Sequence, residues 1–311
     1  MYTVRWICLI STVAFIAGCF SECNTLPPNR PDTSSSSLVQ AAYDGDIQSV
    51  RQLIDSGADV NEKDTSSTTA LWAAANKGHL DIAAFLLDMN AAVDAGQTST
   101  DTTPLWMAAR NGHTDIVKLL IDKGANVNHK QTVTGVTILM MAAQNGHADA
   151  AELLLDNGAK INAKENTLGT TALCTAVSYG HTDVVKLLLK KGAYPEEKGN
   201  TGMTPLWTAA YSGYTEVVRL LLDYGAQVDA KNDKIDTLAG IPIRSNDTST
   251  TPLWNAAYYG HTETAKILIA RGADINAKAT TNNVERSVLQ AAIFMQNYDI
   301  AKLLQKAGAK E

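Results

Sequence analysis

The chain has 311 residues, 32 of them acidic and 26 basic, with a formal net charge of −6. Nothing basic clusters against that acidity, which argues against nucleic acid as a partner. Hydrophobic residues make up 45%, ordinary for a folded soluble protein, and four scattered cysteines imply no disulfide framework.

Residues 1–18 read as a signal peptide. Arg5 supplies a positive charge, and Trp6 to Ile16 is an 11-residue, mostly apolar run, too short to span a bilayer. The run ends Ile16-Ala17-Gly18-Cys19, which resembles the bacterial lipobox. That resemblance implies an acylated Cys19 (palmitate-type chains) as the mature N-terminus and a bacterial envelope protein held at a membrane. Phe20 in place of Asp favours the outer membrane. The other reading is an ordinary secretory signal that happens to hold a cysteine. Residues 19–37 are rich in Pro and Ser, with Pro27, Pro28, Pro31 and Ser34 to Ser37, and are expected to form a disordered tether. Fully extended, such a tether reaches at most about 60 Å.

Residues 38–311 repeat themselves. Leu38, Leu71, Leu105, Leu139, Leu173, Leu206, Leu253 and Leu289 each lie 19 residues before a landmark that begins a Gly-Ala pair, with Asn90-Ala91 standing in once. The Leu-to-Leu spacings are 33, 34, 34, 34, 33, 47 and 36. All variation falls after the landmark, so each unit is a fixed packed body plus an adjustable surface loop.

One body shows the pattern. Leu105, Ala108 and Ala109 fall at i, i+3 and i+4 on one helix face, and Ile116, Val117, Leu119 and Leu120 form a second helical stripe. Gly112 between them breaks the helix, and Pro104 suits a first turn. Each unit is therefore a helix–turn–helix hairpin, too small to bury its apolar face alone, and neighbours must stack. The first unit carries Asp44, Asp46, Gln48, Ser49, Arg51 and Gln52, and the last carries Lys302, Gln305, Lys306 and Lys310. Both ends are expected to face water, as capping repeats that complete an array of eight.

Thr204-Pro205-Leu206, Gly260-His261, Val185 to Leu188 and Gly57-Ala58-Asp59-Val60-Asn61 carry a motif that resembles the ankyrin repeat. The resemblance covers about residues 36–311 and implies an all-α solenoid of about eight helix–turn–helix units with protruding loops. Two departures stand out. Trp72, Trp106, Trp207 and Trp254, with Met140 and Cys174, occupy the place where the family carries His. Tyr194-Pro195 replaces the usual Val-Asn and is expected to alter its loop.

The candidates for chemistry are few. His79, His113, His147, His181 and His261 all follow the hinge glycine. Equivalent positions in successive helices sit roughly 8–10 Å apart, whereas a metal needs ligands near 2 Å. They are read as hydrogen-bonding between neighbouring units, with no metal. Cys174 and His181 lack an orienting third residue, and no catalytic or phosphate-loop motif is present, so the chain reads as a non-enzyme without a cofactor. Asp81, Asp115, Asp149, Asp183, Glu216 and Glu263 start second helices and read as dipole partners.

The resemblance also implies where a partner binds, since in the family the two residues after Ala-Ala line the concave groove. Carried across, the early units are polar, with Lys77 and Arg110, and the later units aromatic, with Tyr179, Tyr211, Tyr258, Tyr259 and Phe294. Aromatic stripes at an exposed groove suit interface hot spots, although such rings can also simply pack between helices. Trp106, Trp207 and Trp254 either floor the groove or fill the core. The long loop around Asp233 to Asp247 either closes over a partner or is a neutral insertion. The function expected is a membrane-tethered scaffold that binds another protein through its groove. The alternative is a structural envelope or surface spacer without a fixed partner.

Overall fold

A computed structural model describes residues 37–98, 100–200, 202–232, 237–238, 241–242, 249–281 and 284–310. The signal peptide, Cys19 and nearly all of the tether lie outside the described residues, as does most of the long loop from Asp233 to Asp247. Two compact units divide the chain, residues 1–126 and residues 127–311.

Three hairpins build the first unit. They are α1 (Leu38–Asp44) with α2 (Ile47–Asp55), α3 (Ala70–Lys77) with α4 (Leu80–Asp88), and α5 (Pro104–Asn111) with α6 (Thr114–Asp122). Five more build the second. The first three are α7 (Ile138–Gln144) with α8 (Ala148–Asp156), α9 (Ala172–Ser178) with α10 (Thr182–Lys190), and α11 (Pro205–Ser212) with α12 (Thr215–Asp223). The last two are α13 (Pro252–Tyr259) with α14 (Thr262–Ala270), and α15 (Val288–Phe294) with α16 (Tyr298–Lys306). Within each unit, first helices pack on first helices and second on second, as in an ankyrin-repeat solenoid. None of the described helices is long and apolar enough to cross a membrane.

The repeated letters have distinct physical jobs. Ser37, Thr69, Thr103, Thr137, Thr171, Thr204, Thr251 and Ser287 cap the first helices. Each side-chain oxygen accepts a backbone N–H three residues on, at 3.1–3.3 Å. Proline follows three of those caps, where no N–H is needed. The Leu-Ala-Ala face is fully buried, as at Leu105, Ala108 and Ala109. Alanine there lets the next first helix approach closely.

The hinge glycine is required twice over. Gly78 has φ +85°, which favours glycine, and a Cβ added there would come within 2.7 Å of the His113 ring of the next repeat. The same holds for Gly45 beneath His79 and Gly146 beneath His181. Gly-His is therefore one motif spread over two repeats: the glycine of one seats the histidine of the next.

Loops stack as well. In the first unit, Asn61 Oδ1 accepts from Ala92 N at 2.7 Å, and Asp94 accepts from Asn126 N at 3.2 Å. In the second, Asn128 accepts from Lys160 N at 2.9 Å, Asn162 from Tyr194 N at 3.1 Å and Asn276 from Lys310 N at 2.9 Å. The Tyr194-Pro195 expectation needs correcting. Counted from Gly192, Glu196 holds the Asn place, and its carboxylate accepts from Gln227 N at 2.9 Å. The loop keeps its inter-repeat bond with a longer acid.

Two further findings depart from the sequence reading. The loop before α15 is an antiparallel hairpin, β3 (Lys278–Thr281) with β4 (Val284–Ser287), and β1 (Thr237–Leu238) pairs with β2 (Ile241–Pro242) in the long loop. Thr280, Thr281 and Val284 suit extended pairing, a preference that the helical period masks. The last unit is also not uniformly polar, because Ile293, Phe294 and Tyr298 are 43%, 56% and 59% exposed.

Candidate functional site

The histidines are structural. Four of the five that follow the hinge glycine place Nε2 on a backbone carbonyl of the preceding repeat: His79 on Tyr43 at 3.2 Å, His113 on Asn76 at 3.3 Å, His181 on Gln144 at 2.8 Å and His261 on Tyr211 at 2.9 Å. Asn297 does the same with its amide, donating to Ala257 O and Tyr258 O. Among the described residues, no three His, Cys, Asp or Glu side chains gather as a metal would require.

Cys174 is not paired with His181. Its thiol donates to Glu197 O at 3.4 Å, and burial pushes it up from the ordinary thiol range, away from a nucleophilic thiolate. The tryptophans fill the core. Trp72, Trp106, Trp207 and Trp254 are all buried. Trp72 Nε1 donates to Thr102 Oγ1 at 3.1 Å, and Trp207 Nε1 to Thr250 Oγ1 at 2.8 Å. Trp254 Nε1 donates to Arg286 O at 3.3 Å. An indole thus spans to the following repeat's loop, where a buried N–H must find an acceptor.

The second unit gathers five aromatic rings from α11 and α13. Trp207 stacks on Tyr211 with centroids 5.4 Å apart, and Tyr211 meets Tyr259 edge-on at 4.5 Å. Tyr259 meets Tyr258 edge-on at 5.0 Å, and Tyr258 stacks on Trp254 at 4.8 Å. Tyr258 and Tyr259 are half-buried. Tyr211 corrects the expectation of an open groove residue: at 7% exposure it is closed in by its neighbouring rings.

The remaining candidates stand apart from that cluster. Tyr179 is half-buried, accepts from Gln144 Nε2 at 3.1 Å and stacks on His181 at 6.2 Å. Phe294 is exposed, with the Arg286 guanidinium 4.2 Å from its ring centroid. Lys77 and Arg110 belong to the first unit. Lys77 is exposed, with Nζ 4.3 Å from the Tyr43 ring centroid, and Arg110 is half-buried. Tyr43 was missed by sequence reasoning, although it follows Ala41-Ala42 and the same rule would have found it. Asn255, Arg286, Ile293 and Tyr298 were also missed. Only Asn255 had a signal, a lone amide in an otherwise apolar first helix.

A family model described as "Ankyrin repeats (3 copies)" matches residues 38–131, 92–165, 139–232 and 233–311. Among curated proteins, "Serine/threonine-protein kinase 12" of Arabidopsis thaliana is 46% identical over 57 residues, 18% of this chain and 12% of that protein. "Palmitoyltransferase Hip14" of Drosophila melanogaster is 44% identical over 69 residues, 22% of this chain and 11% of that protein. The chain thus spans about an eighth or less of those relatives. Among solved structures, the crystal structure of the human ASB11 ankyrin repeat domain aligns with a TM-score of 0.66 and 28% identity, covering 77% of this chain and 99% of that one.

Proposed function

The chain belongs to the ankyrin-repeat family, and from that premise we propose that it is a non-enzymatic scaffold that holds another protein in the groove beside its first helices. Ankyrin repeats suggest such an interaction role. The observation that carries the reading here is the run of tyrosine rings on α11 and α13, two of them half-exposed, with Phe294 open on α15. Rigid aromatic rings offer large contact area at low entropic cost, and such groups dominate binding energy at protein interfaces. We further propose that Cys19 is lipidated and tethers the chain to a bacterial envelope membrane, the outer membrane in a two-membrane cell. The support is the Ile16-Ala17-Gly18-Cys19 sequence after a short apolar run.

Crosslinking in intact cells, with the crosslinked species identified, tests the scaffold. One stoichiometric protein is expected, lost when Tyr258→Ala and Phe294→Ala are combined. Recovery of no protein, as a mere spacer would give, refutes it. Membrane fractionation of Cys19→Ala tests the tether, with release of the chain as the expected outcome and unchanged sedimentation as the contrary one.

A further inference from the structure

Two buried polar atoms on the helices of the tyrosine cluster have no hydrogen-bond partner. Tyr211 Oη on α11 is buried without a hydrogen-bond partner, and so is Asn255 Nδ2 on α13. Their residues are 7% and 1% exposed. Both lie beside one ring. Asn255 and Tyr259 stand four residues apart on α13 and share a helix face. The Tyr259 ring is also the closest aromatic contact of Tyr211, edge-on at 4.5 Å. Folded chains pair nearly all their buried donors, so two orphans beside one ring call for a cause.

We propose that Tyr211 and Asn255 form a covered seat for a carbonyl oxygen of the partner polypeptide, opened when the Tyr259 ring turns aside. This rests on the reading of the tyrosine half as a binding surface. The chemistry of the two atoms selects the occupant. Both donate, a phenolic O–H and an amide N–H, and one carbonyl oxygen accepts two such bonds. Neither group is charged, and burying a carboxylate against two neutral donors costs far more than burying a carbonyl. The formal net charge of −6 also disfavours an acidic side chain. Tyr259 is half-buried and is the last residue of α13. The carbonyl comes either from the partner's main chain or from an Asn or Gln side chain.

The test uses the full chain and twelve-residue peptides selected by display for binding to it. Dissociation constants and thermal midpoints are measured for the wild type, Tyr211→Phe, Tyr258→Ala and Phe294→Ala. Tyr211→Phe is expected to melt at or above the wild-type temperature, because it removes an unpaired hydroxyl. It should nevertheless bind the peptides about tenfold more weakly, the loss of one well-made bond. A merely structural hydroxyl would not produce that opposition. Exchanging each peptide Asn or Gln for an apolar residue then locates the carbonyl. One exchange that abolishes the Tyr211 dependence assigns it to a side chain, and persistence through all exchanges assigns it to the main chain. Equal affinity of Tyr211→Phe and wild type overturns the seat, and so does a lower melting temperature. If Tyr258→Ala and Phe294→Ala weaken binding while Tyr211→Phe does not, the seat fails and the groove stands. If none of the three matters, or if no peptide is selected, both fail.

Discussion

Gly146 and Gly158 lie in one repeat and differ in what surrounds them. Both have positive φ, at +77° and +87°. A Cβ at Gly146 would come within 2.7 Å of the His181 ring, whereas at Gly158 it meets nothing within 4 Å. Gly158→Ala should therefore cost only the left-handed penalty of about 1–2 kcal/mol. Gly146→Ala should cost about 2–4 kcal/mol, because it also displaces a ring that is hydrogen-bonded to Gln144 O. Denaturant melts of the two variants check the ranking, and equal losses would show that the histidine seat is slack. Asp46 gives a pH signature at the same scale. It caps α2, and bonds from the Ser49 side chain and then the Ser49 backbone hold its carboxyl below the ordinary carboxylate range. A depressed folded pKa stabilises above the unfolded value and loses that contribution as pH falls through the folded one. Asp46→Asn should therefore weaken the first hairpin at neutral pH, and the gap to the wild type should close as acid protonates the native carboxyl. Hydrogen exchange of α2 against pH reads this directly, and a pH-independent gap would contradict it.

Elements are joined through side chains that cross from one repeat to the next, and here the sequence is only partly legible. The hairpins, the Gly-Ala stops and the structural histidines could all be read, because each sits at a fixed offset and depends on local backbone geometry. The partners of the tryptophans could not. The Trp207 indole is satisfied by Thr250, 43 residues on, and Thr250 in turn donates to Asn232 at 2.9 Å across the long loop. The acceptors Thr102, Thr250 and Arg286 each stand three residues before the leucine of the next repeat, but nothing local marks that residue as the indole's partner across a loop of variable length. Thr250→Val keeps the shape and removes both bonds, leaving a buried indole N–H unpaired. A loss of about 1–3 kcal/mol is expected, with tryptophan fluorescence altered before global unfolding. Retention of wild-type stability would mean that the indole finds another acceptor. Tyr211 was misplaced for the same reason. A groove position specifies where a side chain starts, but its exposure depends on its neighbours, and the ring that covers it, Tyr259, comes from the next repeat. Asn76, at the equivalent position in the first unit, has no such ring beside it in the next repeat, where Arg110 and Asn111 stand, and stays half-exposed.

A chain of stacked hairpins distributes stability by nearest neighbours, so the reach of a defect depends on how many neighbours a hairpin has. The second unit allows a controlled comparison. Leu188 on α10 and Leu304 on α16 occupy equivalent positions, and both are fully buried. Truncating either to alanine removes the same atoms, with a local cost of about 2–5 kcal/mol. Their surroundings differ. Helix α10 packs against both α8 and α12, whereas α16, in the last hairpin, packs against α14. Leu188→Ala should therefore lower hydrogen-exchange protection in α7 to α12, on both sides of the defect. Leu304→Ala should lower it mainly in α15, α16 and the β3–β4 hairpin. The apolar exposure of Ile293, Phe294 and Tyr298 already marks that last hairpin as the less enclosed one. Uniform loss of protection across the second unit in both variants would mean that its five hairpins unfold as one body. The nearest-neighbour account would then fail for this chain.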